Sequence, residues 1–158
     1  MDAIKLQAFP KGQTVMEKYE SLKLENQICF PLYACSKEVV KAYRPFLDEV
    51  GLTYTQYIAM MVLWEKRSVS VKELGEKLFL DSGTLTPVLK TLEEKGFVER
   101  KRSREDERVV LVSVTGKGME LRERAADIPS KMAGCVKLSH EEAMTLYRLL
   151  YKLLGRME

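Results

Sequence analysis

The sequence of 158 residues predicts a mainly α-helical fold that carries one small β-hairpin. Ser/Thr-x-x-Glu/Gln segments, which are typical of helix N-termini, begin three of the predicted helices, at Thr53, Ser70 and Ser139. The segment 97–114 instead contains two strand-like apolar runs on either side of a charged stretch. The length suits a single domain, and 46% hydrophobic with 31% charged residues is ordinary for a globular chain.

The N-terminal part is predicted to be an arm followed by one long helix. Residues 1–15 show no sustained hydrophobic period and contain Pro10 and Gly12, so we expect a loosely held arm. A helix is expected to begin within residues 16–22 and to run to about Ala42, because apolar residues recur there at three- and four-residue steps. The residues of this stripe are Leu24, Ile28, Leu32, Cys35 and Val39.

Two prolines are expected to interrupt this helical region. Pro31 should kink the helix, because its ring clashes with the carbonyl of Gln27 and one hydrogen bond of the ladder is lost. The segment 43–46, which contains Pro45, predicts a break that is followed by a short helical turn ending at Gly51.

The centre of the chain is predicted to hold three consecutive helices. The first, over residues 53–64, is apolar nearly all round, which indicates a buried central element. The second is short and covers residues 70–78. In the third, Pro87 lies early, so we expect its missing N–H to be one that has no partner in a first helical turn. This third helix ends at Lys95, before Gly96, and its cap is Asp81, Ser82 or Thr84.

The C-terminal part is predicted to form two more helices. Thr115 begins a long one that runs to about Val136 and is bent or broken at Pro129. Ser139 begins the last helix, whose leucines fall on one side. These leucines are Leu146, Leu149, Leu150 and Leu153.

The order of helix, short helix, helix and β-hairpin is that of a winged helix-turn-helix, in which the second helix of the pair enters the DNA major groove. Small hydroxyl residues near its N-terminus suit that position. We therefore expect DNA contacts from Ser82, Thr84, Thr86, Pro87 and Lys90, and from the hairpin residues Arg100, Lys101, Arg102, Arg104 and Arg108. The acidic residues among them imply that part of the hairpin braces the loop, a role we assign to Asp106. The alternative for this charged run is a solvated surface hairpin.

Composition excludes several classes of protein. A net charge of +3 is only mildly basic, so the DNA-binding prediction depends on where the basic residues lie rather than on their total. Three cysteines without zinc spacing and a single histidine, His140, argue against a metal site or a histidine-based catalytic centre, and no cofactor is expected. The longest apolar stretch, residues 57–64, is too short for a membrane span, and no signal peptide is recognised, so a cytoplasmic location is expected.

Two segments, 81–87 and 101–108, resemble the MarR family of winged-helix repressors. The segment Leu24-Glu-Asn-Gln-Ile-Cys-Phe30 with Tyr33, and Leu-Thr-Tyr-x-Gln-Tyr over 52–57, narrow the resemblance to the organic hydroperoxide resistance regulators. The resemblance covers about residues 22–155. It implies a single domain over residues 16–158, in which a DNA-binding lobe (52–114) lies between dimerisation helices (16–51 and 115–158). It also implies a homodimer on a pseudo-palindromic operator. The apolar faces of the first and last helices favour such a homodimer independently, because a monomer would leave them exposed.

The same resemblance implies that Cys29 is a peroxide sensor, whose thiolate receives hydrogen bonds from Tyr43 and Tyr54, with Tyr33 nearby. The chemistry is reasonable because the thiolate is the nucleophile and phenolic donors favour the charged form. Oxidation yields a sulfenic acid, which condenses with a second thiol. In the two-cysteine branch of the family that thiol is the second chain's equivalent of Cys135, and a small cellular thiol is the alternative.

Cys35 lies about 9 Å and about 120° from Cys29 along a helix, which is too far for a disulfide between the two. We therefore expect Cys35 to be a core residue.

The predicted function is thus a redox-sensing repressor that leaves its operator when an organic hydroperoxide oxidises Cys29. One alternative is a MarR-type repressor released by a small phenolic or aromatic ligand. A second is a thiol peroxidase, but the chain lacks the arginine and threonine that usually surround a peroxidatic cysteine. We therefore predict that the protein is not an enzyme.

Overall fold

A computed structural model describes residues 19–155 of the chain, so the arm predicted for residues 1–15 lies outside the described part. Contacts between residues divide the chain into two compact units, Met1–Arg44 and Pro45–Glu158. Among residues 19–155, none of the helices combines the length and the hydropathy that a bilayer span requires.

The first unit contains a short 3-10 helix, Leu24–Asn26, and the beginning of helix α1, which spans Cys29–Val50. Residues 16–18 of the predicted helix start lie outside the described residues; Tyr19 and Glu20 are helical, but the chain leaves the helix at Ser21. One continuous helix from residues 16–22 to Ala42 is therefore not formed, and the kink predicted at Pro31 is wrong. Pro31 is the third residue of α1, where an N–H has no partner within the helix, so the proline is accommodated without a kink.

The break predicted at Pro45 is also wrong, because α1 continues through this proline to Val50. Leu47 and Val50 are both buried, and this packing offsets the hydrogen bond that Pro45 cannot make. The helix ends as predicted at Gly51, which has a φ of +68°, and Leu52 N–H donates to the Leu47 carbonyl at 3.0 Å.

The core of the second unit is built around α2, Tyr54–Lys66, and the prediction of a buried central helix is confirmed. Its N-terminus has the full capping box, in which Thr53 and Gln56 exchange side-chain and backbone hydrogen bonds. The indole N–H of Trp64 donates to the carbonyl of Gly118 at 2.8 Å. The α2 residues buried in this core are Gln56, Tyr57, Ala59, Met60, Leu63 and Trp64.

The predicted helix pair is present as α3, Val71–Leu78, and α4, Ser82–Glu94. Asp81 is the cap of α4, and Gly96, with a φ of +76°, follows its end. The expectation for Pro87 is wrong, however. It is the sixth residue of α4, beyond the first turn, and therefore does remove the bond that an N–H here would make to the carbonyl of Gly83.

The predicted hairpin is confirmed as β2, Val98–Arg102, and β3, Val110–Val114. A third strand, β1 (Ser68–Ser70), pairs antiparallel with β3, and the order in the sheet is β1-β3-β2. The sequence did not predict β1, which is only three residues long. We call β2, β3 and the loop 103–109 between them the wing.

The C-terminal part forms three helices. The predicted long helix is divided into α5, Gly116–Ala125, and α6, Ile128–Cys135, and the break falls just before Pro129. Proline is well tolerated there, at the second position of α6. The last helix, α7 (His140–Leu153), begins with the predicted capping box at Ser139. It contains no buried residue.

Candidate nucleic-acid interface and redox site

Helix α4 has one face in the core and one face in solvent. Leu85, Leu89 and Leu92 occupy the inner face and are all buried. The opposite face is exposed and carries all the residues predicted to contact DNA from this helix. These residues are Ser82, Thr84, Thr86, Pro87 and Lys90.

Hydrogen bonds within the chain orient the hydroxyl groups of this face. Thr84 N–H and Thr84 Oγ1 both donate to the Asp81 carboxylate, each at 2.9 Å. These bonds, that from the Thr84 N–H foremost, hold the pKa of Asp81 below its usual value, so a negative charge stabilises the N-terminus of α4. Thr86 Oγ1 donates to the Ser82 carbonyl at 2.6 Å. Both threonines therefore use their proton inside the chain and present acceptor lone pairs to the outside.

The loop of the wing is closed by a pair between Asp106 and Arg108. The Asp106 carboxylate accepts from the Arg108 backbone N–H at 3.0 Å and from its guanidinium at 3.1 and 3.2 Å. The Arg108 guanidinium, followed by its N–H, holds the pKa of Asp106 below the ordinary range. Arg102 Nη1 donates to the Glu107 carbonyl at 2.7 Å. The Arg108 side chain is still 90% exposed, so the pair orients this arginine without hiding it.

Arg100 behaves differently from the other basic residues of the wing. Its guanidinium donates to Glu93 Oε2 on α4 at 3.0 and 2.7 Å, and its backbone N–H donates to Glu93 Oε1 at 3.1 Å. Its side chain is only 29% exposed. Arg100 thus ties β2 to α4, a contact that we did not predict. The signal for it was an acidic and a basic residue on either side of the Gly96 turn. Of the other basic residues, Lys101 pairs with Glu99 at 2.7 Å and Arg104 is exposed.

In the first unit, three of the predicted redox residues lie on α1. Cys29 is its first residue and is an exposed free thiol. Tyr33 follows one turn later, and Lys37 Nζ lies 5.2 Å from the centre of its ring. Tyr43 is on nearly the same side of the helix but about 21 Å farther along its axis. A tyrosine side chain cannot bridge that distance, so within one chain Tyr43 does not reach the Cys29 thiol.

In the second unit, Tyr54 is the first residue of α2, and burial raises its pKa. Its phenol therefore stays protonated and can act as a hydrogen-bond donor. Cys135, the last residue of α6, is exposed, and its thiol donates to the Lys131 carbonyl at 3.5 Å.

The prediction that Cys35 is a core residue is wrong. Its thiol is free and exposed, because α1 from Cys29 to Lys41 is exposed nearly all round. A bond with Cys29 inside this helix is excluded by the spacing, since a disulfide requires Cα atoms within about 7 Å. Over residues 19–155, no group of His, Cys, Asp and Glu side chains is arranged to hold a metal ion.

Comparison with known proteins identifies relatives over most of the chain. Residues 41–125 match the family model described as transcriptional regulator SarA/Rot. The organic hydroperoxide resistance transcriptional regulator of Bacillus subtilis is 52% identical over 137 residues, which are 87% of this chain and 93% of the relative.

Two solved structures of AbfR, from Staphylococcus epidermidis, share the fold. Reduced AbfR bound to DNA is 31% identical with a TM-score of 0.72, over 89% of this chain and 97% of AbfR. Disulfide-formed AbfR is 30% identical with a TM-score of 0.59, over 90% and 97%. The chain therefore belongs to the MarR-type winged-helix transcriptional regulators, in the branch of the organic hydroperoxide resistance regulators.

Proposed function

We propose that the chain is a redox-sensing transcriptional repressor, which binds a pseudo-palindromic operator as a dimer and releases it when an organic hydroperoxide oxidises Cys29. The observation that carries this proposal is the exposed polar face of α4 beside a braced basic wing, on a chain whose longest helix begins with an exposed thiol. Since an operator lies on the chromosome, we also place the protein in the cytoplasm.

Helix α4 enters the major groove, and the wing follows the adjacent backbone; together they are called the reader below. Because Thr84 and Thr86 face outward as acceptors, they suit base-edge donors, which in this groove are the amino groups of cytosine and adenine. Phosphate contacts are assigned to Lys101, Arg102, Arg104 and Arg108, with Ser82, Pro87 and Lys90 completing the surface. Arg100 is instead given a bracing role, because Glu93 already occupies its guanidinium.

A second copy of the chain is needed to cover the apolar residues of the terminal helices. Large exposed apolar patches mark interfaces, and those on α7 are too extensive for a monomer in water. The exposed apolar residues of α7 are Met144, Leu146, Tyr147, Leu149, Leu150, Tyr151 and Leu153. Dimerisation through these helices also presents two readers to the two half-sites of a palindrome.

The sensor is completed across the dimer. Because Tyr43 cannot reach Cys29 in its own chain, the phenol that stabilises each thiolate comes from the partner subunit's Tyr43. The Cys29 thiolate attacks one oxygen of the hydroperoxide, the O–O bond breaks, and the alkoxide leaves as an alcohol after gaining a proton. Cys29 is then a sulfenic acid. The thiol of the partner subunit's Cys135 displaces water from it, and a disulfide forms. Each Cys29 consumes one peroxide, without turnover.

Operator binding with and without cumene hydroperoxide tests the function directly. Wild-type protein is expected to bind the region upstream of its own gene when reduced and to lose most of this affinity when oxidised. Cys29→Ser should bind equally well in both states. On a non-reducing gel, oxidised wild type should give a covalent dimer that is absent in Cys135→Ser. A dimer band that persists in Cys135→Ser contradicts the assignment of the resolving cysteine.

Mixed dimers test whether the sensor is shared between chains. Co-expressed Cys29→Ser and Tyr43→Phe chains, separated by two affinity tags, form a dimer with one complete site only if Cys29 and Tyr43 come from different chains. This mixed dimer is expected to form sulfenic acid faster than the Tyr43→Phe homodimer. Equal rates overturn the shared site.

One observation favours a second candidate function, release by a phenolic or aromatic ligand. An open pocket of about 410 Å³ in the second unit has Tyr57, Met61, Trp64, Arg122 and Pro129 among its lining residues. In that case a phenol such as salicylate should release Cys29→Ser from DNA as readily as it releases wild type. An oxidant-only response excludes it.

A further inference from the structure

The last turn of α1, including Gly51, receives polar contacts from three other elements of the second unit. Lys95 Nζ, just after the end of α4, donates to the Gly51 carbonyl at 2.7 Å. Arg124 Nη2, on α5, donates to the Glu49 carbonyl at 2.8 Å. Lys131 Nζ, on α6, lies 3.8 Å from Glu49 Oε2. Carbonyl groups at a helix C-terminus lack partners within the helix, and Lys95 and Arg124 supply donors to two of them, while Lys131 pairs with the Glu49 carboxylate. Together these basic side chains hold the end of α1 in place.

Lys95 is the member of this set that belongs to the reader. It is the C-cap residue of α4, and its amino group also donates to Gln56 Oε1 at 3.2 Å. Gln56 is buried and closes the capping box of α2. Lys117 Nζ in turn donates to the Lys95 carbonyl at 2.7 Å. A single amino group thus joins the ends of α1, α2 and α4.

We propose that Lys95 is a positioning residue that couples the redox cysteines to the reader, an inference that rests on the function proposed above. Cys29 is the first residue of α1, the helix whose last turn is held in this way. Cys135 is the last residue of α6, and Lys131 of that helix pairs with Glu49 in the same turn. Both cysteines of the proposed disulfide therefore lie on helices that are connected at this turn. A helix end that is held on several sides shifts between discrete positions rather than deforming gradually. When the disulfide displaces α1 or α6, Lys95 carries the displacement to α4.

A direct DNA contact is the competing role for a lysine at the end of a recognition helix. A lysine that neutralises a phosphate adds about 0.9 to the salt slope of binding. A lysine that positions α4 changes the affinity and leaves this slope as it is. The structure favours positioning, because both acceptors of the Lys95 amino group lie within the protein.

Lys95→Met, which keeps most of the aliphatic chain and removes the donor, separates the two roles. The matched control is Lys66→Met, an exposed lysine at the end of α2 that pairs with its neighbour Glu65. The dissociation constant is measured for a fluorescein-labelled duplex that the wild type has selected from a random library. Measurements cover a range of sodium chloride concentrations, before and after treatment with cumene hydroperoxide.

Reduced Lys95→Met is expected to bind about tenfold more weakly than wild type, the effect of losing a charged hydrogen bond, with the wild-type salt slope. The ratio of oxidised to reduced dissociation constants should fall towards one. Oxidised protein has already lost the position of α4 that Lys95 holds, so removing Lys95 weakens DNA binding by the reduced protein only. Lys66→Met should match wild type, and Lys95→Arg, which retains donors, should keep most of the ratio.

A salt slope lowered by about 0.9 in Lys95→Met assigns the residue to a phosphate and overturns the inference. A wild-type ratio of oxidised to reduced dissociation constants in Lys95→Met, when the wild type itself responds to peroxide, also overturns the inference. A wild type that selects no duplex, or ignores peroxide, contradicts the proposed function itself and with it the role of Lys95. If Lys95→Met does not unfold cooperatively on heating, Arg124→Met removes the second bond onto the same turn. It should lower the ratio as well, and a wild-type ratio refutes the coupling.

Discussion

Helices α4 and α7 have nearly the same length, 13 and 14 residues, and both carry leucines at helical spacing, yet their surroundings differ. On α4, Leu85, Leu89 and Leu92 are 0%, 1% and 0% exposed. On α7, Leu149 and Leu153 are 54% and 65% exposed. One chain is therefore sufficient to bury the apolar face of its reader, whereas the face of α7 requires a second chain.

The buried face of α4 serves the folding of the single chain, whereas the exposed face of α7 is available for regulation through a second chain. A reader whose core is complete within one chain keeps its shape while the terminal helices change their packing. The first half of α1, with Cys29 at its beginning, is exposed in the single chain, as α7 is. The proposed sensor thus lies where two chains meet, and a covalent bond formed there acts on the relative placement of two rigid readers.

The strongest test of this contrast is to prevent a second chain from covering α7. Leu149→Glu with Leu153→Glu places charges on the exposed apolar face and should give a monomer. Operator affinity is expected to fall more than about 100-fold, because binding two half-sites at once is lost. Sedimentation velocity and fluorescence anisotropy measure the two effects. Fluorescence of the only tryptophan, Trp64, should stay native. The control Lys152→Glu should remain dimeric, and a dimeric double variant would refute the contrast.

Truncating the buried face of α4 should instead destabilise the fold of the single chain. Leu89→Ala is expected to lower the free energy of unfolding by about 2–5 kcal/mol, through lost burial and the cavity left behind. Its exposed neighbour Lys90→Ala should change it by less than about 0.5 kcal/mol. Urea titrations followed by Trp64 fluorescence give both values. Equal losses in the two variants would mean that α4 is not anchored as described.

A pair of glycines at the start of α5 sharpens the comparison within the second unit. A Cβ at Gly118 would collide with the carbonyl oxygen of Phe97 and the side chain of Val114, whereas a Cβ at Gly116 would meet open space. Gly118→Ala should therefore cost about 1–3 kcal/mol of stability. Gly116→Ala should be neutral or slightly stabilising, because alanine favours helix. Thermal unfolding of both variants checks this, and tolerance of Gly118→Ala would contradict the close approach.

The smallest expected effect concerns the tie between the wing and α4. The Arg100 guanidinium holds the pKa of Glu93 below its usual value. The ionised pair therefore stabilises the fold above the ordinary carboxyl pKa of about 4.3, and this stabilisation disappears as the pH falls through the lowered pKa. Glu93→Gln should have a lower Tm than wild type at pH 7, and the difference should vanish in acid. Glu94→Gln, next to it, serves as the control. A pH-independent difference would show that the charge of Glu93 does not matter.

Local features of this molecule were predictable because their bonds span only a few residues. The caps at Thr53, Ser70 and Ser139 join each residue to one three positions ahead, so the pattern contains the whole interaction. The effects of Pro31 and Pro45 were not predictable in this way. A proline is harmless or disruptive according to where its helix begins and what packs against the next turn.

Contacts between distant segments were not predictable either, because their partners lie far apart in the sequence. Strand β1 exists because Val69 meets Val112, a partner more than 40 residues away. The Arg100 guanidinium is directed at α4 rather than at solvent because β2 runs beside that helix. The Lys95 amino group bridges three helix ends for the same kind of reason.

Residue pattern alone was enough to establish the helix caps at Thr53, Ser70 and Ser139, the hairpin, the basic wing and the exposed face of α4, since each depends on neighbours along the chain. Long-range packing assigned the basic residues to different tasks, leaving Arg108 exposed and turning Arg100 and Lys95 inward. It also left α7 uncovered in the single chain. A side chain of a given type can bind DNA, brace a loop or join two helices, and which it does depends on the atoms that the fold brings within about 3 Å of it.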